Sequence, residues 1–460
     1  MEWIYWMLIG GLGLILGGCS SPSGLNFSRQ FSAKKVEFLA DETWVDSSGN
    51  LQVKQEIFDS VFKMIDQADR FVLIDLFLMN NFGYRPASGM REMSTELADK
   101  LIAKRKNQPR VKIVFITDPV NSVYGSIANP LFSKMQDAGI EVVWTDLDQL
   151  RDSNPGFSIL WRMLVKPFGV GPGRMVPNPL GEGRISMRSF LKMLNFKANH
   201  RKVIITDKAL LVTSANPHSA SSAHWNVALR IDGAGIEEAC LAESAVLKLS
   251  NAKPFKPAKI KEVQGPYRLE LLTEIKIKKK VLALLNGAEK GAKVDLCMFY
   301  LSEAEVIAAL IDAQKRGVAL RVILDPSKDA FGRTKNGVPN RQSAVKLVAA
   351  GIPVRWANTH GEQCHAKVLY VEQKKERATL LLGSGNYTTR NLDDYNLECD
   401  VALETKRSDP NMKKFRTVFN RWWFNQDGHS YTVEYSVYED RGLGHQFLSW
   451  FMEKTGMGTF

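Results

Sequence analysis

A short pattern that could do chemistry occurs twice in this sequence: His-x-Lys, followed further along by Ser-x-Asn. The eight residues are His200, Lys202, Ser214 and Asn216 in the first copy, and His365, Lys367, Ser384 and Asn386 in the second. A histidine can attack phosphorus and form a covalent intermediate, and a lysine can offset the negative charge that develops on phosphoryl oxygens. One site built from both copies would therefore hold the side chains needed to break a phosphodiester.

The spacing within each pair predicts that the two side chains point the same way. In a β-strand, residues two apart share a face, so His200 projects together with Lys202, while the apolar residues 203–205 anchor the strand in a core. The pair His365 and Lys367 repeats this arrangement and is also followed by apolar residues. A single His-x-Lys would carry little weight, but two copies with matching Ser-x-Asn patterns indicate one composite site.

The repeat extends well beyond the motifs and predicts two copies of one fold. Each half has a buried strand, a helix with apolar residues at three- and four-residue spacing, a strand that ends in Asp-Pro, and a later strand after Ala-Gly-Ile. These segments are 71–78, 96–104, 111–119 and 138–144 in the first half, and 294–300, 303–315, 320–326 and 350–356 in the second. The alternation predicts α/β sheets with helices on their faces.

The halves differ just before the motif, where the first half carries an insertion at 151–197. The matching tryptophans, Trp144 and Trp356, precede their motif histidines by 56 and nine residues. Residues 151–202 contain ten lysines and arginines, two acidic residues and interleaved aromatic residues, and 169–183 is rich in glycine and proline and should be a loop. We expect this element beside the active site, where it could select substrate; a solvated basic excursion is the alternative.

With these motifs the chain resembles the phospholipase D superfamily, whose motif is His-x-Lys-x4-Asp followed by Gly-Ser/Gly-x-Asn. The first copy completes it with Asp207, the second has Glu372 in that position, and Thr213 stands where glycine is usual. The resemblance covers nearly all of residues 55–425. It implies two tandem α/β/α domains with pseudo-twofold symmetry and one active site at their interface. The expected domains are 30–250 and 266–460.

The resemblance also implies different roles for the two histidines. One attacks phosphorus, and the other protonates the leaving alcohol and then deprotonates the incoming water or alcohol. Family habit makes His200 the nucleophile and His365 the acid and base. Many members place an acid after Ser-x-Asn to hydrogen-bond the catalytic imidazole. That acid is Glu398 in the second half, and the aligned first-half residue is Ala228, so we expect Glu398 to orient His365.

The remaining motif residues receive their roles from the same resemblance. The lysines Lys202 and Lys367 and the asparagines Asn216 and Asn386 would contact the phosphoryl oxygens. The serines Ser214 and Ser384 would support these contacts. The acids Asp207 and Glu372 would hold the motif strands through ion pairs. No metal or other cofactor is expected.

Charge and the N-terminus indicate where the protein works. The net charge of +12 favours an anionic partner, either nucleic acid or an acidic lipid surface. An apolar run from Trp3 to Gly18 leads to Cys19, as in a bacterial lipoprotein signal, although Glu2 stands where such signals carry Lys or Arg. We expect residues 1–19 to be this signal, with Cys19 lipidated, in a membrane-anchored protein of the bacterial envelope that faces the periplasm or exterior. An uncleaved membrane anchor is the alternative.

The C-terminal segment 419–460 is rich in aromatic residues, among them Trp422, Phe447 and Trp450. The pattern predicts core packing of the last helices, and a membrane-facing role is the alternative.

Together these features favour a phospholipase D-type enzyme that acts on phospholipid head groups. It would hydrolyse them or transfer a phosphatidyl group, as the cardiolipin synthases of this family do. Its partners would be a phospholipid substrate and a membrane surface, and the chain would be a monomer. A nuclease of the same superfamily is the alternative that the basic charge supports. A non-catalytic protein that binds anionic ligands is another, although such a protein is expected to lose a His or Lys, and both pairs are intact.

Overall fold

The computed structural model describes residues 22–83, 90–170, 173–257, 263–330, 333–374 and 376–458. The predicted signal segment, residues 1–19 with Cys19, lies outside these ranges. Within them, no helix combines the length and the apolar composition that crossing a bilayer requires.

The described residues form 21 strands and 12 α-helices. The strands are β1 (Ser28–Ala33), β2 (Lys35–Val45), β3 (Leu51–Lys54), β4 (Phe71–Leu76), β5 (Lys112–Thr117), β6 (Glu141–Trp144), β7 (Val176–Pro177), β8 (Arg184–Ile185), β9 (Lys202–Thr206), β10 (Ala209–Thr213), β11 (Asn226–Asp232), β12 (Tyr267–Thr273), β13 (Lys293–Met298), β14 (Ala319–Leu324), β15 (Asp329–Ala330), β16 (Arg333–Thr334), β17 (Val354–Ala357), β18 (Lys367–Glu372), β19 (Arg377–Gly383), β20 (Cys399–Lys406) and β21 (Thr432–Glu434). The helices are α1 (Ile57–Gln67), α2 (Met93–Asn107), α3 (Pro130–Asp137), α4 (Pro155–Leu164), α5 (Met187–Met193), α6 (Ile236–Leu249), α7 (Ile275–Asn286), α8 (Ala304–Lys315), α9 (Asn340–Ala349), α10 (Thr389–Leu392), α11 (Pro410–Phe424) and α12 (Leu443–Thr455).

Two large mixed sheets repeat one strand order. The first runs β3-β2-β11-β10-β9-β4-β5-β6 and the second β1-β12-β20-β19-β18-β13-β14-β17-β21. In each, three strands are parallel (β4, β5, β6 and β13, β14, β17), and the motif strand, β9 or β18, pairs antiparallel with the first of them. The predicted repeat is therefore confirmed as two copies of one α/β fold. Strand β1 precedes the strands of the first sheet in sequence, but it pairs with β12 in the second sheet.

The two sheets pack face to face, and helices cover their outer faces. Alternate residues of the motif strands explain this layering, because successive side chains point to opposite faces. Val203 and Val368 lie in the cluster between the sheets. Ile204 packs under the helices of the first half, and Leu369 packs under those of the second. Since both faces are covered, these strands are almost continuously apolar.

The last helix does not pack as the sequence predicted. Trp422 of α11 is fully buried in the core, but Phe447 and Trp450 of α12 are largely exposed. Ser449 is the buried residue that α12 contributes among those described. The expectation of core packing is therefore wrong for α12, because this helix lies outside both sheets.

Candidate active site

The two motifs meet where the halves join. The main-chain N–H of His200, just before β9, donates to the Leu397 carbonyl of the second half at 2.8 Å. Trp225 of the first half donates in the same way to Gln363, two residues before His365, at 3.0 Å. Each motif segment is thus hydrogen-bonded to the opposite half. His200, Asn216, His365 and Asn386 all line one cleft of about 590 Å³ at this junction.

The two lysines lie behind the histidines and have the same contacts in both halves. Lys202 Nζ donates to the His200 carbonyl at 2.8 Å, and Lys367 Nζ donates to the His365 carbonyl at 2.9 Å. The rings of Phe77 and Phe299 lie against the two pairs, each 4.8 Å from its histidine ring between centroids. Both amino groups are buried beside the histidines, where an anion in the cleft would favour their charged form.

The carboxylate partner belongs to the other histidine. Glu398 lies 2.8 and 3.0 Å from His200 Nδ1 through its two oxygens, so the prediction that it orients His365 is wrong. The reason is the junction itself: β20 begins at Cys399, and the residue before it reaches across to the first-half motif. Ser384 and Asn391 also donate hydrogen bonds to the carboxylate of Glu398. These contacts orient the His200 ring and leave its Nε2 for the cleft.

The first-half counterpart of Glu398 is Asn226. Ser384 donates to Glu398 and accepts from the N–H of Cys399 at 2.9 Å. In the first half, Ser214 donates to Asn226 at 3.0 Å and accepts from the N–H that follows, also at 3.0 Å. Asn226 Oδ1 lies 3.2 Å from His365 Nδ1. The first-half residue that corresponds to Glu398 is therefore Asn226, two residues before the predicted Ala228. The two histidines have different partners: a carboxylate for His200 and an amide for His365.

Thr213, which stands where glycine is usual, is explained by its neighbour across the strands. In the second half Gly383 pairs with Asp400, and a Cβ on Gly383 would lie 2.3 Å from that carboxylate. Asp400 accepts the N–H of Gly385 at 2.9 Å. In the first half Thr213 pairs with Ala228, and its own hydroxyl accepts the corresponding N–H of Ala215 at 3.0 Å. The threonine thus replaces the missing carboxylate.

Sequence reasoning missed four residues that hold the motif segments. Asp118 accepts the N–H of Asn199 at 2.7 Å, and Asp325 accepts that of Cys364 at 2.8 Å, each immediately before a motif histidine. The matching Asp-Pro pairs in both halves were the signal that could have revealed these two carboxylates.

The other two missed residues also occupy matching positions. Asn396 Oδ1 accepts the N–H of Ala198 at 2.9 Å, and His224 Nδ1 accepts that of Gln363 at 3.2 Å. Both line the cleft. The bond fixes the neutral tautomer of His224 with its proton on Nε2, and this ring lies 6.0 Å from that of His365. Nothing in the sequence pattern marked His224 as a counterpart of an asparagine.

The two motif acids lie at the far ends of the motif strands, away from the cleft. Asp207 accepts the N–H groups of Asp69 and Arg70 at 3.0 and 3.2 Å. Glu372 lies 3.2 Å from the guanidinium of Arg416. Among the residues that the structure describes, no group of His, Cys, Asp and Glu side chains is arranged to hold a metal ion.

Burial dominates the ionisation of the site. It lowers the pKa of His200 and of His365 well below the usual value, and the neighbouring lysines lower both further. It lowers the pKa of Lys202 to about 7 and that of Lys367 well below its usual value. It raises the pKa of Glu398 to about 8. An anion in the cleft would stabilise the charged lysines, so the site is suited to a negatively charged group.

The insertion forms one wall of the cleft, as its position in sequence predicted. Leu180, Phe190, Met193 and Phe196 line the cleft. The basic residues of the insertion contribute less than expected, because Lys197 and Arg162 pair with Asp152 at 2.7 and 2.6 Å. The wall that faces the histidines is therefore largely apolar and aromatic. Residues 169–183 are irregular where described, apart from β7, which pairs with β8.

Comparison with known proteins agrees with this fold. The family model described as "Cardiolipin synthase, PLD-like domain" matches residues 281–423, and no curated protein sequence matches the chain. Among solved structures, the chain is similar to phosphatidylserine synthase from Haemophilus influenzae, with a TM-score of 0.57, 12% identity, and coverage of 92% of this chain and 94% of that one.

Two further structures are less similar in fold. Polyphosphate kinase from Porphyromonas gingivalis has a TM-score of 0.46 and 12% identity, over 93% of this chain and 54% of that one. Nuc from Salmonella typhimurium, a phospholipase D family member, has a TM-score of 0.28 and 19% identity, over 34% of this chain and 95% of that one. The family model matched over residues 281–423, the repeated fold and the two His-x-Lys pairs at one cleft support membership of the phospholipase D superfamily.

Proposed function

We propose that this chain is a phospholipase D-type phosphodiesterase that acts on phospholipid head groups, by hydrolysis or by phosphatidyl transfer, through a phosphohistidine. The observation that carries the proposal is the single cleft that both motif histidines line, with buried lysines behind it and an apolar wall beside it. Membership of the superfamily supports phosphodiesterase chemistry in general. The head-group substrate and the transfer step are the finer parts of the proposal.

In the first step His200 attacks phosphorus through Nε2. Its Nδ1 is held by Glu398. The positive charge that the ring gains as the N–P bond forms favours the carboxylate form of Glu398, whose pKa burial raises to about 8, and the carboxylate stabilises that charge in turn. The leaving alcohol departs with a proton from Nε2 of His365. Lys202 and Lys367, with Asn216 and Asn386, stabilise the phosphoryl oxygens, whose negative charge also favours protonation of both lysines.

In the second step His365 takes a proton from water or an acceptor alcohol. That oxygen attacks phosphorus, the N–P bond breaks, and His200 is restored. An amide partner suits His365 because Asn226 supports Nδ1–H without adding negative charge. A histidine without a carboxylate is a stronger acid, which favours proton donation to the leaving group. His200 as nucleophile and His365 as acid and base are the roles that the sequence predicted. The reason differs, because Glu398 contacts His200 and not His365.

The wall of the cleft favours a lipid over a nucleic acid. Leu180, Phe190 and Met193 offer apolar contacts of the kind that acyl chains or glycerol carbons require. A nucleic acid would instead need a groove of unpaired cations along its phosphate backbone, but Lys197, the cation that the insertion contributes to the cleft lining, is paired with Asp152 at 2.7 Å. The apolar wall and this pairing favour the head-group proposal.

We also propose that residues 1–19 direct the chain to the bacterial envelope, where Cys19 becomes the lipidated first residue and the enzyme faces the periplasm or exterior. The apolar run that ends at Cys19 supports this part of the proposal. Replacing Cys19 by alanine should leave the precursor uncleaved. Recovery of the wild-type membrane protein with Met1 intact would contradict it.

The central experiment incubates the full chain with vesicles of phosphatidylglycerol or phosphatidylethanolamine and identifies the products by mass spectrometry. Phosphatidic acid indicates hydrolysis, and cardiolipin from phosphatidylglycerol indicates transfer. His200→Ala should abolish both products. His429→Gln is the matched control, because His429 packs against Trp44 and Tyr431, far along the chain from either motif. Cleavage of plasmid DNA with no lipid product would overturn the proposal and support the nuclease.

A further inference from the structure

The insertion carries an exposed apolar face beside the cleft. Helix α4 begins at Pro155, a residue favoured at the first helical position, and buries Trp161 on one side. On the other side Leu160 and Leu164 are 57% and 65% exposed, and Phe168, just beyond the helix, is 70% exposed. Residues four apart share a helix face, so Leu160 and Leu164 form one apolar stripe in contact with solvent, and Phe168 adds a third exposed apolar side chain just beyond the helix.

Helix α12 carries a second exposed stripe. Phe447, Trp450 and Phe451 follow the three- and four-residue spacing of one helix face. Phe447 is 63% and Trp450 57% exposed. The ring of Phe447 lies 5.7 Å from Trp450 and 6.3 Å from Phe451 between centroids. The three rings therefore cluster with one another, outside the core.

The two helices that carry the stripes meet each other beside the cleft. Where α12 ends, a Cβ on Gly456 would lie 1.9 Å from the carbonyl oxygen of Ser153, just before α4. Arg390, which lines the cleft, donates to the Gly456 carbonyl at 3.3 Å. Met452, in α12, packs against the cluster of Phe299, Tyr300 and Val338, and the ring of Phe299 lies 4.8 Å from that of His365. We name Leu160, Leu164, Phe168, Phe447, Trp450 and Phe451 the rim surface.

The insertion, which carries one half of the rim surface, is positively charged. Residues 155–197 contain seven lysines and arginines but a single acidic residue, Glu182. Arg184 and Arg188 donate to the main-chain carbonyls of Arg174 and Phe168, and neither forms an ion pair with a carboxylate that the structure describes. Exposed aromatic and leucine side chains flanked by cations are typical of elements that lie in the interface of an anionic bilayer. A contact with a second copy of this chain would bring these cations together and is disfavoured by charge.

We propose that the rim surface docks into the interfacial region of an anionic phospholipid bilayer and holds the cleft mouth against the head groups. This inference deepens the proposed function and rests on it for its substrate. Docking through both helices would present head groups to His200 and His365 directly, without moving a lipid far from the membrane. The apolar wall of the cleft, which includes Phe190 and Met193 of α5, would continue the rim surface inward.

The test uses nitroxide spin labels on the full chain and needs no turnover. Single cysteines replace Leu164 or Trp450, with Leu241→Cys on α6 as the control, because Leu241 is also an exposed leucine, at 59%. All variants carry Cys19→Ser, and the four described cysteines are buried. On addition of phosphatidylglycerol vesicles, the ratio of collisions with oxygen to collisions with a water-soluble nickel chelate should rise several-fold at 164 and 450 and stay constant at 241.

Each other outcome contradicts the inference. No change at 164 and 450 would mean that the chain meets the bilayer elsewhere. If the nickel chelate cannot reach the labels at 164 and 450 before vesicles are added, residues 1–21 cover the rim surface. If the labels become less accessible to the chelate as protein concentration rises, a second copy of the chain covers it. Failure of the proposed function can be distinguished from failure of this inference. If the function is wrong, no lipid products form, but the labels can still report docking.

A rate measurement adds a second readout. Leu164→Ser with Trp450→Ser should lower turnover of vesicles several-fold and leave turnover of a short-chain, monomeric phospholipid unchanged. Equal loss on both substrates would mean that these side chains act on the fold or the cleft rather than on the membrane.

Discussion

Replacement of Glu398 by glutamine tests the unlike partners of the two histidines. In the wild type the carboxylate lies 2.8 Å from His200 Nδ1 and also accepts hydrogen bonds from Ser384 and Asn391. Glutamine keeps the size of the side chain but loses its charge. Its NH₂ group must face one of three neighbours that each donate a hydrogen bond to Glu398 in the wild type: His200, Ser384 or Asn391. The substitution should therefore weaken the support of the ring as it becomes positively charged during attack.

The magnitude follows from the hydrogen bond that is lost. A bond to a charged group contributes about 1.5–3 kcal/mol, and each 1.36 kcal/mol of activation free energy is a factor of about ten in rate. Formation of the phosphohistidine should slow about 10- to 150-fold in Glu398→Gln. A donor facing Ser384 or Asn391 should also lower the free energy of unfolding by about 1–3 kcal/mol.

The assay is a single-turnover reaction with a phospholipid labelled in its phosphatidyl part, quenched with alkali and mapped by peptide mass spectrometry. In the wild type the label should sit on the peptide that contains His200. Asn226→Asp is the matched variant: it gives His365 a carboxylate, makes it a weaker acid, and should slow departure of the alcohol without moving the label. A rate for Glu398→Gln within about threefold of wild type, below the range that the lost bond predicts, would refute this reasoning. So would label on the His365 peptide.

Three further predictions concern the surroundings of the motifs. Burial lowers the pKa of Lys202 to about 7, and a bound anion raises it, so the affinity for sulfate should fall about tenfold per pH unit above 7 through this group. Titration calorimetry of the wild type and of Lys202→Met checks this. An equal dependence of sulfate affinity on pH in the variant would contradict it. His224→Asn places an asparagine where the second half has Asn396, so it should keep the hydrogen bond to the motif segment and most of the activity. His224→Ala should lose that hydrogen bond and lower the melting temperature. Kinetics and thermal unfolding distinguish the two variants, and an equal loss of activity in both would mean that the imidazole itself reacts. Gly383→Thr should destabilise the fold because its Cβ would meet the Asp400 carboxylate and also the carbonyl oxygen of Cys399. Adding Asp400→Ala should remove the first of these clashes and restore about 0.5–3 kcal/mol of the free energy of unfolding, measured by urea unfolding; additive losses would show that the Asp400 side chain does not oppose threonine at position 383.

The motif pairs were predictable because local patterns carry them. Alternation placed His200 with Lys202, and the internal repeat brought His365 into the same argument. The exposure of Trp450 was not predictable, because an aromatic helix face reads the same whether a sheet covers it or solvent does.

The failure over Glu398 has a definite cause. Asn386 and Glu398 are 12 residues apart, but Asn216 and Asn226 are ten apart, because the first-half loop is shorter. Matching the two asparagines Asn226 and Asn396 by identity therefore shifted the alignment by two residues and hid Asn226 as the counterpart of the acid.

The sequence by itself determined the residue types of the site, the repeat that supplies two of each, and the apolar alternation that builds each sheet. The tertiary structure decided which half supports which histidine, since Glu398 reaches His200 only across the junction of the sheets. The physical reason is range. Periodicity and spacing act within one strand or helix, whereas a hydrogen bond between residues 198 positions apart exists only after two separately specified sheets have packed face to face.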